Sequence, residues 1–176
     1  MQNQNLTRLS FAGLFAALTA IFIYLIHIPY GQTGYIHLGD AVIFLCAVLL
    51  PEPYAAAAAA VGGGLADLIS GFPIYILPTV LIKVCMALLL SSKTPKLLCK
   101  RNVIGVLLAA ALNLLLYAVT EFVLGVTAYG MPAAGALATA VSTLLQNGIQ
   151  GAANVVVFLP LAAASDRFHI KSKFHL

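Results

Sequence analysis

A lysine stands in the middle of an apolar run, "PTVLIKVCMALLL", from Pro78 to Leu90. An ammonium group at bilayer depth costs at least about 2.5 to 3.5 kcal/mol on insertion scales, so it turns toward the protein interior and finds a partner. Such groups commonly mark a substrate or ion path. Three carboxylates occupy comparable surroundings: Asp40 opens an apolar segment, Asp67 closes another, and Glu121 lies near the end of a third. Asn113, Tyr117 and Glu121 follow one another at i, i+4 and i+8 and so share a helix face. Asn147, Gln150 and Asn154, with Gln146 beside them, crowd one side of the last apolar segment. This set of charges and amides can hold a polar small molecule, pass an ion, or pin helices together through an ion pair and interhelical hydrogen bonds. The number of polar groups at one depth favours a binding site, with Lys83 pointing into a cavity where Asp67, Asp40 or Glu121 neutralises it.

The elements that must position these residues follow from composition. Of 176 residues, 62% are hydrophobic and 8% charged, against roughly 25% charged in a soluble domain. Too few charges remain to cover a hydrated surface, so the chain is read as an all-α integral membrane protein forming one domain over 1–176. Apolar segments fall at 9–28, 39–50, 54–71, 74–91, 103–125 and 139–164, separated by proline and glycine clusters at "IPYGQTGY", "PEP", "SGFP" and "YGMP". The second segment is short for a full crossing, and joining it to the third across Pro51-Glu52-Pro53 gives five passes instead of six.

Charge separates the two counts, because lysines and arginines beside spanning helices are retained on the cytoplasmic side. Arg8 precedes the first segment; Lys93, Lys96, Lys100 and Arg101 follow the fourth; Arg167, Lys171 and Lys173 follow the last. Six passes place all three groups on one face, with both termini cytoplasmic, and five do not. The outer connections near 29–38, 72–74 and 126–138 then carry no lysine or arginine. Topology accounts for the net charge of +4 without invoking nucleic acid. With about 1.5 Å of rise per residue, Lys83 lies about 12 Å below the outer start of its helix and Glu121 within about one turn of the outer end of its own.

Several other chemistries lack their residues. Cys46, Cys85 and Cys99 lie on separate segments without C-x-x-C spacing, which argues against a disulfide framework or a thiolate metal site; no metal and no cofactor is expected. "GGGL" is not followed by G-K-[ST] and is no phosphate loop. His27 and His37 flank the first outer connection and Ser70 ends the third segment, but no G-x-S-x-G or D-x-x-D accompanies them, so no catalytic residue is assigned. His169 and His175 belong to the basic tail. "MQNQNLTR" enters the first apolar segment without a small-residue cleavage site and reads as the start of a retained helix. The small residues of "YAAAAAAVGGGLADLISG" let helix backbones approach closely. Ala12, Ala16 and Ala20 recur every four residues and make a smooth stripe, suited either to packing inside the bundle or to docking another membrane protein.

At "GYIHLGDAVIFLCAVLL" (34–50) and "GGGLADLISGFPIYILPTVLIK" (62–83) the chain resembles the substrate-binding S components of energy-coupling factor (ECF) transporters, in particular the small ones labelled riboflavin-type or left unassigned. The pairing of D-L-x-x-G-x-P-I-Y with a downstream P-x-x-x-x-K carries the resemblance, which extends over nearly the whole chain. It implies a multi-pass plasma-membrane protein that captures a vitamin-like micronutrient from outside and associates with a membrane T component and two cytoplasmic ATPases. It implies that Ala12, Ala16 and Ala20 form the face that docks the T component. It further implies an outward pocket walled by helices four to six and closed by Gly34 through Asp40, Phe72 through Tyr75 and Val126 through Met131, on a subunit that topples in the membrane during transport.

Tyr35, Tyr75, Tyr117, Tyr129 and Phe72 are the rings on which a flat guest would stack. Tyr117, Glu121 and the amides of the last helix would read its polar edge, and Lys83 an anionic or carbonyl oxygen, with His37, Asp40, Asp67 and Asn113 nearby. That suits a riboflavin, pyridoxine or queuosine-like compound. A self-sufficient ion-coupled secondary transporter is the alternative, followed by an intramembrane enzyme and a structural scaffold.

Overall fold

The computed structural model describes residues 2–26, 28–30 and 34–174; His27 and His175 lie outside them. Six principal helices, α1 (Gln2–Leu25), α2 (Gly39–Leu49), α3 (Glu52–Ile69), α4 (Ile76–Leu88), α5 (Lys100–Thr127) and α6 (Ala133–Arg167), are followed by a single turn, α7 (Ile170–Lys173). Between α1 and α2, two three-residue strands, β1 (Ile28–Tyr30) and β2 (Gly34–Ile36), pair antiparallel, with Ile28 opposite Ile36. A 3-10 turn at Pro73–Tyr75 leads into α4.

The outside of the bundle is apolar and the inside is where the polar side chains are. Leu107, Leu115 and Val119 on α5 and Val141, Leu145 and Val156 on α6 are exposed, whereas Asp40, Lys83, Asn102, Asn113 and Asn154 are buried. In water this distribution would leave a large apolar surface uncovered; in a bilayer it matches the solvent on both counts. α1, α5 and α6 are each long and apolar enough to cross a membrane. α2 is not: its 11 residues span about 16 Å, and ten of them are buried, in contact with α1, α3, α4 and α6. A helix surrounded by helices has no polar face to keep wet, which explains the unbroken run "AVIFLCAVLL".

α2 and α3 are separate helices. Leu50 is extended (φ −98°, ψ 149°) as the residue preceding a proline favours, and Pro51 then starts α3. Other boundaries shift from those expected. α1 begins at Gln2 and ends at Leu25 instead of running 9–28, and α6 begins at Ala133, directly after Pro132, six residues ahead of the expected 139. The glycines and alanines there hide a helix start from hydropathy. The segment expected at 74–91 stops at Leu88, and 89–99 is irregular.

The three alanines of α1 take the interior role. Ala12, Ala16 and Ala20 are 6%, 6% and 7% exposed, so within the chain the stripe packs inside the bundle. α3 is what fills it: a Cβ on Gly62 would come within 2.7 Å of the Ala16 carbonyl oxygen. Small residues on both helices let the backbones approach, a packing available only without larger side chains.

Candidate ligand-binding site

The lower layer of the site is built around Lys83. Its Nζ donates to Asp40 Oδ1 at 2.6 Å and to Asn113 Oδ1 at 3.0 Å, and lies 5.3 Å from the centre of the Tyr117 ring. Lys83 and Asp40 are each 1% exposed. Gly63 on α3 makes the crossing possible, because a Cβ there would meet Lys83 Cγ and Thr79 Cγ2 at 3.1 Å. Asp40 is therefore the partner among the three carboxylates weighed for Lys83.

This pair sets the orientation of the amides around it. An ammonium only donates, so Asn113 turns its oxygen to Lys83 and its Nδ2 to Asn147 Oδ1 at 3.4 Å; Asn147 Nδ2 in turn donates to the Thr143 carbonyl. A carboxylate only accepts, so Gln150 turns Nε2 to Asp40 Oδ2 at 3.3 Å, and its Oε1 accepts the His37 N–H at 3.3 Å. Asn154 closes the layer. Its Oδ1 accepts the Ala41 N–H at 2.8 Å, and its Nδ2 donates to the carbonyls of His37 and Gln150. The bonds from Gln150 and Asn154 to His37, Asp40 and Ala41 join residues more than 100 positions apart and tie the start of α2 to the middle of α6.

Above this layer lies a cavity of about 450 Å³, within the range that takes a small ligand. Of the expected residues, Tyr35, His37, Asp67, Tyr75, Tyr117, Glu121, Gln146, Asn147 and Gln150 line it, together with Phe72 and Tyr129. Asp40, Lys83, Asn113 and Asn154 do not line it: they form the layer beneath, so Lys83 sits under the cavity and not in it. Tyr35 and Phe72 stack with centres 6.2 Å apart at 24°, and Tyr75 meets Phe72 edge-on at 6.3 Å. The Tyr75 hydroxyl donates to Glu121 Oε1 at 2.9 Å, and Gln146 Nε2 to the Tyr35 carbonyl at 2.9 Å. The Gly39 N–H donates to His37 Nδ1 at 3.3 Å. Asp67 is 7% exposed, and its buried Oδ2 has no hydrogen-bond donor.

Thr79, Thr139, Ser142 and Thr143 also line the cavity and were not anticipated. Periodicity carried the signal. Tyr75, Thr79 and Lys83 stand four apart on one face of α4 and the turn before it, and Thr139, Thr143 and Asn147 do so on α6. A threonine at bilayer depth attracts less notice than a charge because its hydroxyl can return to the carbonyl four residues back, as those of Thr139 and Thr143 do.

Every connection at the cavity end is free of lysine and arginine, while the 89–99 segment, the starts of α1 and α5, the end of α6 and α7 hold eight of the nine. No curated protein matches the chain. A family model described as ECF-type riboflavin transporter, S component, matches residues 3–167. With an apolar exterior, several membrane-length helices and a polar cavity enclosed between them, the chain belongs to that family, whose members are multi-pass, substrate-specific S components of ECF transporters and not enzymes.

Proposed function

We propose that this S component captures an unphosphorylated, flat nitrogen heterocycle of the riboflavin, pyridoxine or queuosine-like kind in the cavity beside α4, α5 and α6. One observation carries the reading: aromatic faces and amides converge on a space of about 450 Å³ that, among the described residues, no lysine or arginine lines. Stacking area and in-plane hydrogen bonds are what a heteroaromatic ring needs. A phosphate or carboxylate guest would lack a counter-charge, since Lys83 is held beneath by Asp40. The family description names riboflavin for its members, and the lining is compatible with it.

In this reading the cavity end faces the exterior, and the basic end, with both termini, faces the cytoplasm of a six-pass plasma-membrane protein. The distribution of lysine and arginine supports that orientation. Uptake is then driven by a membrane T component and two ATPases, as family membership suggests, with α1 through α6 supplying only capture. An ion-coupled mechanism run through the Lys83–Asp40 pair would need it to exchange protons with water, and both residues are 1% exposed.

The test is mass spectrometry of the small molecule released on denaturing protein purified from cells grown in rich medium, followed by calorimetric titration of the same compound into ligand-free protein. A bound heterocycle, weakened about tenfold or more by Tyr117→Ala through lost stacking, supports the proposal. Release of nothing, with no binding by riboflavin or pyridoxine, removes it.

A further inference from the structure

The chain contains five acidic residues, and the structure accounts for three of them. Asp40 is paired with Lys83 at 2.6 Å, Glu52 faces Lys93 at 3.4 Å, and Asp166 accepts the backbone N–H groups of Leu97 and Leu98. The two that remain, Asp67 and Glu121, both line the cavity, and among the described residues neither has a cation within ion-pair distance. Glu121 accepts one bond, from the Tyr75 hydroxyl. Asp67 is more than nine-tenths buried and its Oδ2 accepts none. Leaving a buried carboxylate oxygen unmatched is expensive, and two carboxylates lining one cavity repel each other. The aromatic wall of Tyr35, Phe72 and Tyr75 presents the electron-rich faces that attract a cation.

We propose, building on the capture reading above, that the guest carries a protonated amine seated against Asp67, with Glu121 as the second carboxylate. The ammonium supplies the counter-charge that the Asp67 carboxylate lacks and offsets the negative charge of the cavity. It also gives the site a selectivity that stacking alone does not provide, favouring an aminated heterocycle over its hydroxylated analogue.

Pyridoxamine and pyridoxine test this directly, since they share a ring and differ in an aminomethyl against a hydroxymethyl group; riboflavin serves as an uncharged third probe. Each is titrated calorimetrically at pH 7 into the full chain in detergent micelles, stripped of bound compound. The expected result is pyridoxamine binding at least about tenfold tighter than pyridoxine, the lower end of what a charge-assisted hydrogen bond supplies, with the preference abolished in Asp67→Asn. Glu121→Gln carries the same test at smaller amplitude should Asp67→Asn fail to fold. Parity between the two probes, a preference for pyridoxine or riboflavin, or a preference unchanged in both variants overturns the amine. If none of the three binds, the compound released on denaturation decides, with a basic amine supporting the inference and its absence overturning it. If nothing binds and nothing is released, the capture reading itself fails and takes the inference with it.

Discussion

The two ends of the bundle are both rich in polar groups and each keeps a buried polar atom unmatched, Arg8 Nε at the basic end and Asp67 Oδ2 at the other, yet they differ in what their matched groups hold. At the basic end, Asn102 receives the Ser91 N–H on Oδ1 and gives its Nδ2 to Ser91 O, Leu97 O and Thr94 Oγ1. Asp166 takes two backbone N–H groups, and Lys171 donates to the carbonyls of Ser92 and Thr94. An irregular stretch, 89–99, is thereby fastened to α5, α6 and α7. At the other end, Asp67 keeps an unmatched oxygen and the amides of α6 border an open volume. The Asn102, Asp166 and Lys171 network holds chain segments in place; polar groups bordering an open volume have capacity left for something that is not part of the chain. The Lys83 layer lies between, its side chains bonded to one another and carrying the open cavity on its upper surface.

The largest effect expected from breaking this contrast is at that boundary. Lys83→Met leaves Asp40 charged, buried and unpaired, and should cost about 3–5 kcal/mol of stability. Denaturant unfolding in micelles measures it, and the double variant Lys83→Met/Asp40→Leu should recover most of the loss. No recovery would mean that the pair does more than neutralise itself. Next comes Asn102→Ala at the basic end, which strips the partners from the Ser91 and Leu97 backbone groups and should lower stability by about 1–3 kcal/mol while leaving ligand affinity unchanged. A fall in affinity would show that the two ends are coupled and would undo the contrast. Gly62→Ala pushes a methyl into the α1 backbone and should cost about 1–3 kcal/mol by overpacking, read as a lowered melting temperature without altered ligand selectivity. Smallest is Lys93→Ala. Its pair with Glu52 is 3.4 Å long, with the lysine side chain 82% exposed, so stability should change by less than about 1 kcal/mol; a larger loss would mean that this surface pair belongs to the fastened network.

Much of the fold was legible because hydropathy and charge act locally. Six helices, the break at Pro51 and the segregation of lysine and arginine can each be read from a few neighbouring residues. The β1–β2 pair could not, since three-residue strands are too short to show alternation. Of the candidate site, the i, i+4 polar faces of α5 and α6 pointed to two helices that border the cavity, and nine of the thirteen residues expected to bind ligand line it. The division between lining and floor was invisible, as was the interior use of Ala12, Ala16 and Ala20, because a periodic stripe has the same spacing whichever neighbour it meets.

By itself the sequence determined the solvent of this protein, its helical content and the family to which it belongs, for these depend on how many apolar residues follow one another and on a few spaced motifs. Tertiary structure alone decided that Asp40 is the carboxylate that neutralises Lys83, leaving Asp67 and Glu121 to face the cavity. Three acids were equivalent on paper. Ion pairing falls off over a few ångströms, and only the packing of α2 against α4 and α6 brings one of them within 2.6 Å of the ammonium.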